Sequence, residues 1–374
     1  MLLGLAACYS PTPAPGKPCG DGGRCPDGLR CFDLTNTCEV PGSTPDAPPP
    51  DTRFCFGAGL VSDCVVDGPG APKEIDGNTT LTIDTGDAAS CDRVIGDPEL
   101  CVLIGSSITI DGVLRAQGTR PLVLVASDTI TINGLLDVAS RRAQPLPGAG
   151  GNASDCVPGA PPAVHGGGGG GSFGGVGGSG DDGNPAAVGG VGAPALPAPS
   201  ALHGGCRGGA GVGGVIGIGG DGGGAVYVIA GTLIQLGVVS KINASGAGGA
   251  GCQANCGGGG GGSGGMIGLD APMIAIAAGG EAFANGGGGG EGSQSAASRA
   301  GGESTTALAQ ALGGSGGSGG GDGGKGALGA APDGGNAVNT TATDAGGGGG
   351  GGGVGAITTT GLLANQGTLS PAAN

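Results

Sequence analysis

Tryptophan is absent from this chain of 374 residues, and its aromatic side chains amount to two tyrosines and five phenylalanines. A conventional core built on large side chains is therefore excluded over much of the length. Histidine is almost as scarce: only His165 and His203 are present for proton transfer or metal ligation near neutral pH. Basic residues number 14 against 29 acidic ones, a net charge of −15, and they form no stripe. That balance argues against nucleic acid as a partner. Past the first residues, no uninterrupted apolar run is long enough to span a bilayer as a helix.

What fills the chain instead is glycine, 99 residues of it, together with thirteen cysteines. These are Cys8, Cys19, Cys25, Cys31, Cys38, Cys55, Cys64, Cys91, Cys101, Cys156, Cys206, Cys252 and Cys256. With Cys8 set aside, the remainder can pair completely, which points to disulfides and an oxidising compartment. A zinc site would need C-x2-C pairs matched by further ligands. The closest spacing here is Cys252 with Cys256, alone in a glycine run. No metal and no cofactor is expected.

The opening MLLGLAAC resembles a bacterial lipobox. The resemblance implies that the Cys8 thiol receives a diacylglycerol and becomes the N-terminal residue after cleavage. Residues 1–7 are then a truncated signal peptide, since a basic n-region is missing and the apolar stretch is short; a start codon placed too far downstream is expected. An ordinary N-terminus with a spare thiol is the alternative. Tyr9 stands where Gram-negative lipoproteins retained at the inner membrane carry Asp, which implies sorting to the outer membrane. Residues 8–17 form a proline-bearing tether, 18–40 a cysteine-rich module and 41–53 a proline-rich linker. So small a module buries little, so two crosslinks among Cys19, Cys25, Cys31 and Cys38 are expected to hold it. Three connectivities are open, with first-to-third and second-to-fourth preferred. The stretch resembles small cysteine-rich modules behind lipoboxes in myxobacterial surface proteins.

From Phe54 the texture changes. Ile108-Thr109-Ile110-Asp111-Gly112 corresponds to Ile130-Thr131-Ile132-Asn133-Gly134 without a gap, at an offset of 22. LTID at 81–84 echoes ITID at 108–111. The unit returns at Val226 and Ile267, offset by 41, and a partial copy starts at Val354. Each copy alternates apolar and polar residues at period two and turns at Asp/Asn-Gly, the pattern of short strands. Repeats of this length predict a short right-handed parallel β-helix over 54–374. Ile108 then stacks over Ile130 and Ile110 over Ile132. Loops around Cys55–Cys64 and Cys91–Cys101 are expected to cap its N-terminal end.

Three glycine-rich insertions, near 143–224, 246–265 and 286–353, interrupt the repeats. GGVGGSG at 174–180 and GGSGGSGG at 313–320 hold a three-residue period, the repeat of polyproline II. The pattern resembles the polyglycine II bundles of phage tail-tip adhesins and snow-flea antifreeze protein. Disorder is the alternative, because glycine-rich chain ordinarily acts as a flexible linker. Cys156, Cys206, Cys252 and Cys256 lie inside these insertions, and pairing of the first two and of the last two is expected.

No catalytic constellation is found. Asp181-Asp182 resembles part of a polygalacturonase motif, without its companion motifs. Arg115 is the one candidate lyase base with acids at strand positions. GGSGDDGNP at 177–185 departs from calcium nonapeptides and does not repeat, and no phosphate-loop Lys-Ser/Thr follows a glycine run. His165 and His203 read as solvated loop residues, and Asp181, Asp221, Asp322 and Asp333 as solubilising residues in glycine turns. As a whole the chain resembles glycine-rich parallel β-helix lipoproteins of myxobacterial type, pectin-lyase-like solenoids with polyglycine II-like insertions. The resemblance implies a lipid-anchored structural or adhesive surface protein of the outer membrane. Its partners would be the membrane and a cell-wall or extracellular polysaccharide or surface protein. A polysaccharide-active enzyme and an ice- or lattice-binding protein, hinted by Thr340-Thr341 and Thr358-Thr359-Thr360, are the alternatives.

Overall fold

The computed structural model describes residues 16–20, 22–32, 36–42, 53–66, 68–96, 98–183, 188–197, 199–317, 319–339 and 345–374. Cys8, Tyr9 and Thr340-Thr341 lie outside them. The chain divides into two compact units, one of Met1–Phe54 with Cys64–Gly68 and one of Cys55–Asp63 with Pro69–Asn374. No α-helix occurs among the described residues, and none is long and apolar enough to cross a membrane.

In the smaller unit, Lys17–Pro18, Thr37–Glu39 and Arg30–Phe32 form an antiparallel sheet with Thr37–Glu39 in the middle. Two disulfides, Cys19–Cys31 and Cys25–Cys38, cross it. Few side chains are buried, so the crosslinks carry the fold.

The larger unit is built from parallel sheets whose strands recur in threes. Leu100–Gly105, Ile108–Ile110 and Val113–Gln117 are followed by Leu122–Ala126, Thr129–Ile132 and Leu135–Asp137. Next come Ala225–Ala230, Leu233–Leu236 and Lys241–Asn243. In the last two repeats the first two strands run on as one, Met266–Ile276 before Glu281–Phe283 and Ala356–Asn365 before Thr368–Ser370. Equivalent strands pair in parallel from repeat to repeat. The register stacks Ile108, Ile130, Ile234, Ile274 and Leu363 in one ladder. Ile75, Ile110, Ile132, Leu236 and Ile276 form the next, and Leu114, Leu136, Ile242, Ala282 and Leu369 a third. Alternation puts every second residue inward, where Ile110, Ile130, Ile132, Leu136 and Ile234 are wholly buried. Each such side chain contributes about 1.5–3 kcal/mol.

The Asp/Asn-Gly turns have a packing reason. A Cβ on Gly134 would overlap the carbonyl oxygen of Gly112, so the corner closes only with glycine there. Asn133 Nδ2 also donates to Asp111 Oδ1 at 2.8 Å, tying one corner to the next.

Two expectations need correction. LTID at 81–84 does not stack on ITID at 108–111; it lies in Thr80–Asp84 and pairs with Val113–Gln117. The partner of Ile108–Ile110 is Lys73–Ile75. Two strands of each repeat share the same alternation, so a local echo cannot tell them apart. The second correction concerns the caps. Around Cys91–Cys101, Arg93–Ile95 does run antiparallel along the first edge, on Leu100–Gly105. Residues 58–60 instead sit over the later repeats. Ala58 and Gly59 N–H groups donate to Asp270 Oδ2 at 2.7 and 2.9 Å, and Leu60 N–H donates to the Tyr227 hydroxyl at 3.1 Å. Burial raises the Tyr227 pKa, against the hydrogen bonds from Leu60 and with Thr360 that lower it. A Cβ on Gly59 would overlap the Tyr227 hydroxyl.

Candidate functional site: a glycine bundle and the clefts at its edge

Every glycine insertion leaves after the third strand of a repeat and returns to the first strand of the next, over 138–224, 244–265 and 284–355. The three therefore issue from equivalent corners, one above another. They fold back and forth as extended segments that hydrogen-bond to each other.

Residues 257–265 lie at the centre. Amides of Gly258, Gly261 and Gly264 donate to the carbonyls of Gly347, Gly350 and Gly353. Those of Gly257, Gly260 and Ser263 donate to Val212, Gly209 and Cys206, and those of Gly259, Gly262 and Gly265 to Ala250, Ala247 and Ala244. Each third of the segment thus faces a different neighbour, as a three-residue turn requires. Three more segments donate inward: Gly168 and Gly171, then Gly217, Gly220 and Gly223, then Gly287 and Gly290. No amide of 257–265 is left over.

Glycine is needed here for space and not for conformation. None of Gly258 to Gly262 has a left-handed φ. A Cβ on Gly258, Gly259, Gly260, Gly261 or Gly262 would overlap a carbonyl oxygen of, in order, Gly290, Ile218, Gly169, Gly287 or Asp221. Side chains finish some outer rows: Asp333 Oδ1 and Asn336 Oδ1 accept from the amides of Val176 and Ser179, each at 2.8 Å. The three-residue spacing of both pairs is a signal the sequence carried and that composition hid.

The crosslinks stand at the margins of this bundle. Cys156 joins Cys206 across a separation of 50 residues, and Cys252 joins Cys256 across the short strand Gln253–Cys256, which pairs antiparallel with Gly213–Val215. Cys55 and Cys64 are both disulfide-bonded. Cys19, Cys25 and Cys31 sulfurs lie within 4.8 Å of one another, but each is spent in a disulfide.

Several residues read as solvated are not. His203 is half-buried, packs edge-on against Phe173 with ring centres 4.6 Å apart, and places Nδ1 2.8 Å from the Gly204 carbonyl. Its Nε2 lies 3.7 Å from Asp155 Oδ2. His165 Nδ1 is buried without a hydrogen-bond partner. Asp181 is buried, and Asp221 binds Arg207 at 3.0 Å and Asn152 at 2.9 Å. Arg115 is held by the buried Asp137 at 3.1 Å, a carboxylate that Arg141 also binds. The outward ladder of the second strands, half-buried to exposed, runs Glu74, Thr109, Thr131, Gln235, Ala275 and Ala364, a mixed series.

Two clefts adjoin the bundle. One, of about 610 Å³, collects Glu99, Arg120, Asp155 and His203, with Arg120 bound to Glu99. The other, of about 590 Å³, lies between residues 157–162 and the glycine segments 169–172 and 206–212, and both border Ala153. Comparison of the chain with protein-family models, with curated proteins and with solved structures finds no match.

Proposed function

We propose that this is a lipid-anchored surface protein of the outer membrane with a structural or adhesive role. A parallel β-helix displays a polyglycine II bundle, joined to the membrane through Cys8, the tether 8–17, the module 18–40 and the linker 41–53. The carrying observation is the saturated hydrogen bonding of residues 257–265 in three directions. A spacer has no use for such order, whereas a projecting platform depends on it. Its partner is a cell-wall or extracellular polymer or a surface protein. In a chain bearing a complete signal, Cys8→Ala releases the protein from detergent-phase membranes; unchanged retention contradicts the anchor. The purified protein retains cell-wall or exopolysaccharide fractions on a column, and failure to retain any of them contradicts the adhesive role.

A second reading, a polysaccharide-active enzyme, draws on the cleft that gathers Glu99, Asp155 and His203. Chain shortening of a polysaccharide by the wild type, lost in Asp155→Asn, would replace the first reading.

A further inference from the structure

A bundle of hydrogen-bonded segments has edges, as a sheet does, and unpaired donors there are open to another chain. Elsewhere in this bundle, proline-bearing stretches close such edges. The Ala160 carbonyl, within Val157-Pro158-Gly159-Ala160-Pro161-Pro162, accepts from Val191 N–H at 3.0 Å, and the Pro332 carbonyl accepts from Val354 N–H at 3.0 Å. Proline suits an outermost strand because it offers a carbonyl, brings no N–H to leave unsatisfied, and already holds the extended φ.

The edge beside residues 157–162 is unfinished. The amides of Gly169 and Ser172 on one segment, and of Arg207 and Ala210 on its neighbour, have no acceptor. Both pairs are spaced by three residues, the polyproline II repeat. Gly169 and Ser172 are buried, where an unsatisfied donor is unfavourable, while Arg207 and Ala210 are exposed. All four line the cleft of about 590 Å³. Its opposite wall is the proline-bearing stretch 157–162, and Cys156 and Cys206, joined by their disulfide, also border it.

We propose that this cleft binds a proline-rich segment of a partner protein in the polyproline II conformation, which adds to the bundle as one more extended strand. The inference rests on the ordered bundle of the proposed function. A glycine-serine segment would bring extra N–H groups and a larger ordering cost. A sugar chain would find no aromatic ring in the lining to stack on.

The test uses the full oxidised chain and a fluorescent (Ala-Pro-Pro)3 peptide, with (Gly-Gly-Ser)3 and cellohexaose for comparison. The proline peptide binds, the glycine-serine peptide binds at least about tenfold more weakly, and exchange at Gly169, Ser172, Arg207 and Ala210 slows on binding. Ala210→Pro removes one donor that the fold does not use and weakens binding by about tenfold or more. Arg207→Ala keeps its N–H and leaves binding unchanged. An absence of peptide binding while Gly258 and Gly261 amides stay protected overturns this inference and leaves the bundle standing. Free exchange at Gly258 and Gly261 overturns the bundle itself. Binding of cellohexaose in place of the peptide, abolished by Ala210→Pro, overturns it in favour of a carbohydrate site.

Discussion

The stacked sheets and the glycine segments of the larger unit are both tightly packed, yet they are stabilised by different parts of the chain. In the sheets, backbone pairing sets the spacing and side chains fill the interior, as the ladder from Ile108 to Leu363 does. In the bundle there is nothing to fill: backbones touch, and their hydrogen bonds point in three directions around residues 257–265. The balance differs accordingly. A buried isoleucine contributes about 1.5–3 kcal/mol. A glycine in the bundle gains about 0.5–1.5 kcal/mol net per hydrogen bond against an ordering cost of about 1–2 kcal/mol or more. Such a bundle needs outside support. It has it in the fixed entry and exit of each insertion and in the crosslinks Cys156–Cys206 and Cys252–Cys256.

The largest expected effect falls on the sheets. Ile110→Asp buries a charge with no partner and lowers stability by about 4 kcal/mol, read as a loss of β circular dichroism on heating at a lower temperature. A thermally silent substitution would remove the side-chain half of the contrast. Next comes the double variant Cys156→Ser with Cys206→Ser. Loop entropy over a separation of 50 residues predicts a loss of about 2–4 kcal/mol, confined to the glycine segments in hydrogen exchange.

Gly261→Ala sharpens the comparison because only an ordered bundle responds to it. In a loose linker the residue is as free in the folded protein as in the unfolded chain, so the substitution changes stability by about zero. Here the new methyl overlaps the Gly287 carbonyl, and a loss of about 1–3 kcal/mol in calorimetry is expected. The smallest effect concerns the strap at 58–60. Burial raises the Tyr227 pKa above its ordinary value of 10.0, so the unfolded chain releases that proton first. The contribution is whole below pH 10.0 and is lost as pH rises through the folded pKa. Tyr227→Phe should flatten the alkaline limb of a stability profile; an unchanged limb would contradict the burial.

How much of this was legible follows from where side chains carry information. The pairing of Ile108 with Ile130 was readable because alternation and the Asp/Asn-Gly corner repeat without a gap. LTID at 81–84 misled because strands at different places in a repeat share one texture. The docking of residues 58–60 on Tyr227 and Asp270 was not readable, since a few backbone amides and one carboxylate leave no local pattern. Neighbour relations within the bundle were hidden for a related reason: glycine has no side chain to specify which segment lies beside it. His203 was misjudged because its glycine neighbours suggest solvent, whereas Phe173 and the segment ends enclose it.

The central claim is that glycine backbone here forms a core of its own, and hydrogen exchange of the oxidised full chain tests it most directly. Amides from Gly257 to Gly265 should exchange slowly, within reach of those of Leu122–Ala126, while the amides of the exposed Ile216 and Ile218, which have no acceptor, exchange fast. Exchange of residues 257–265 at random-coil rates, with Leu122–Ala126 still protected, would contradict the account and leave stacked sheets carrying loose glycine loops.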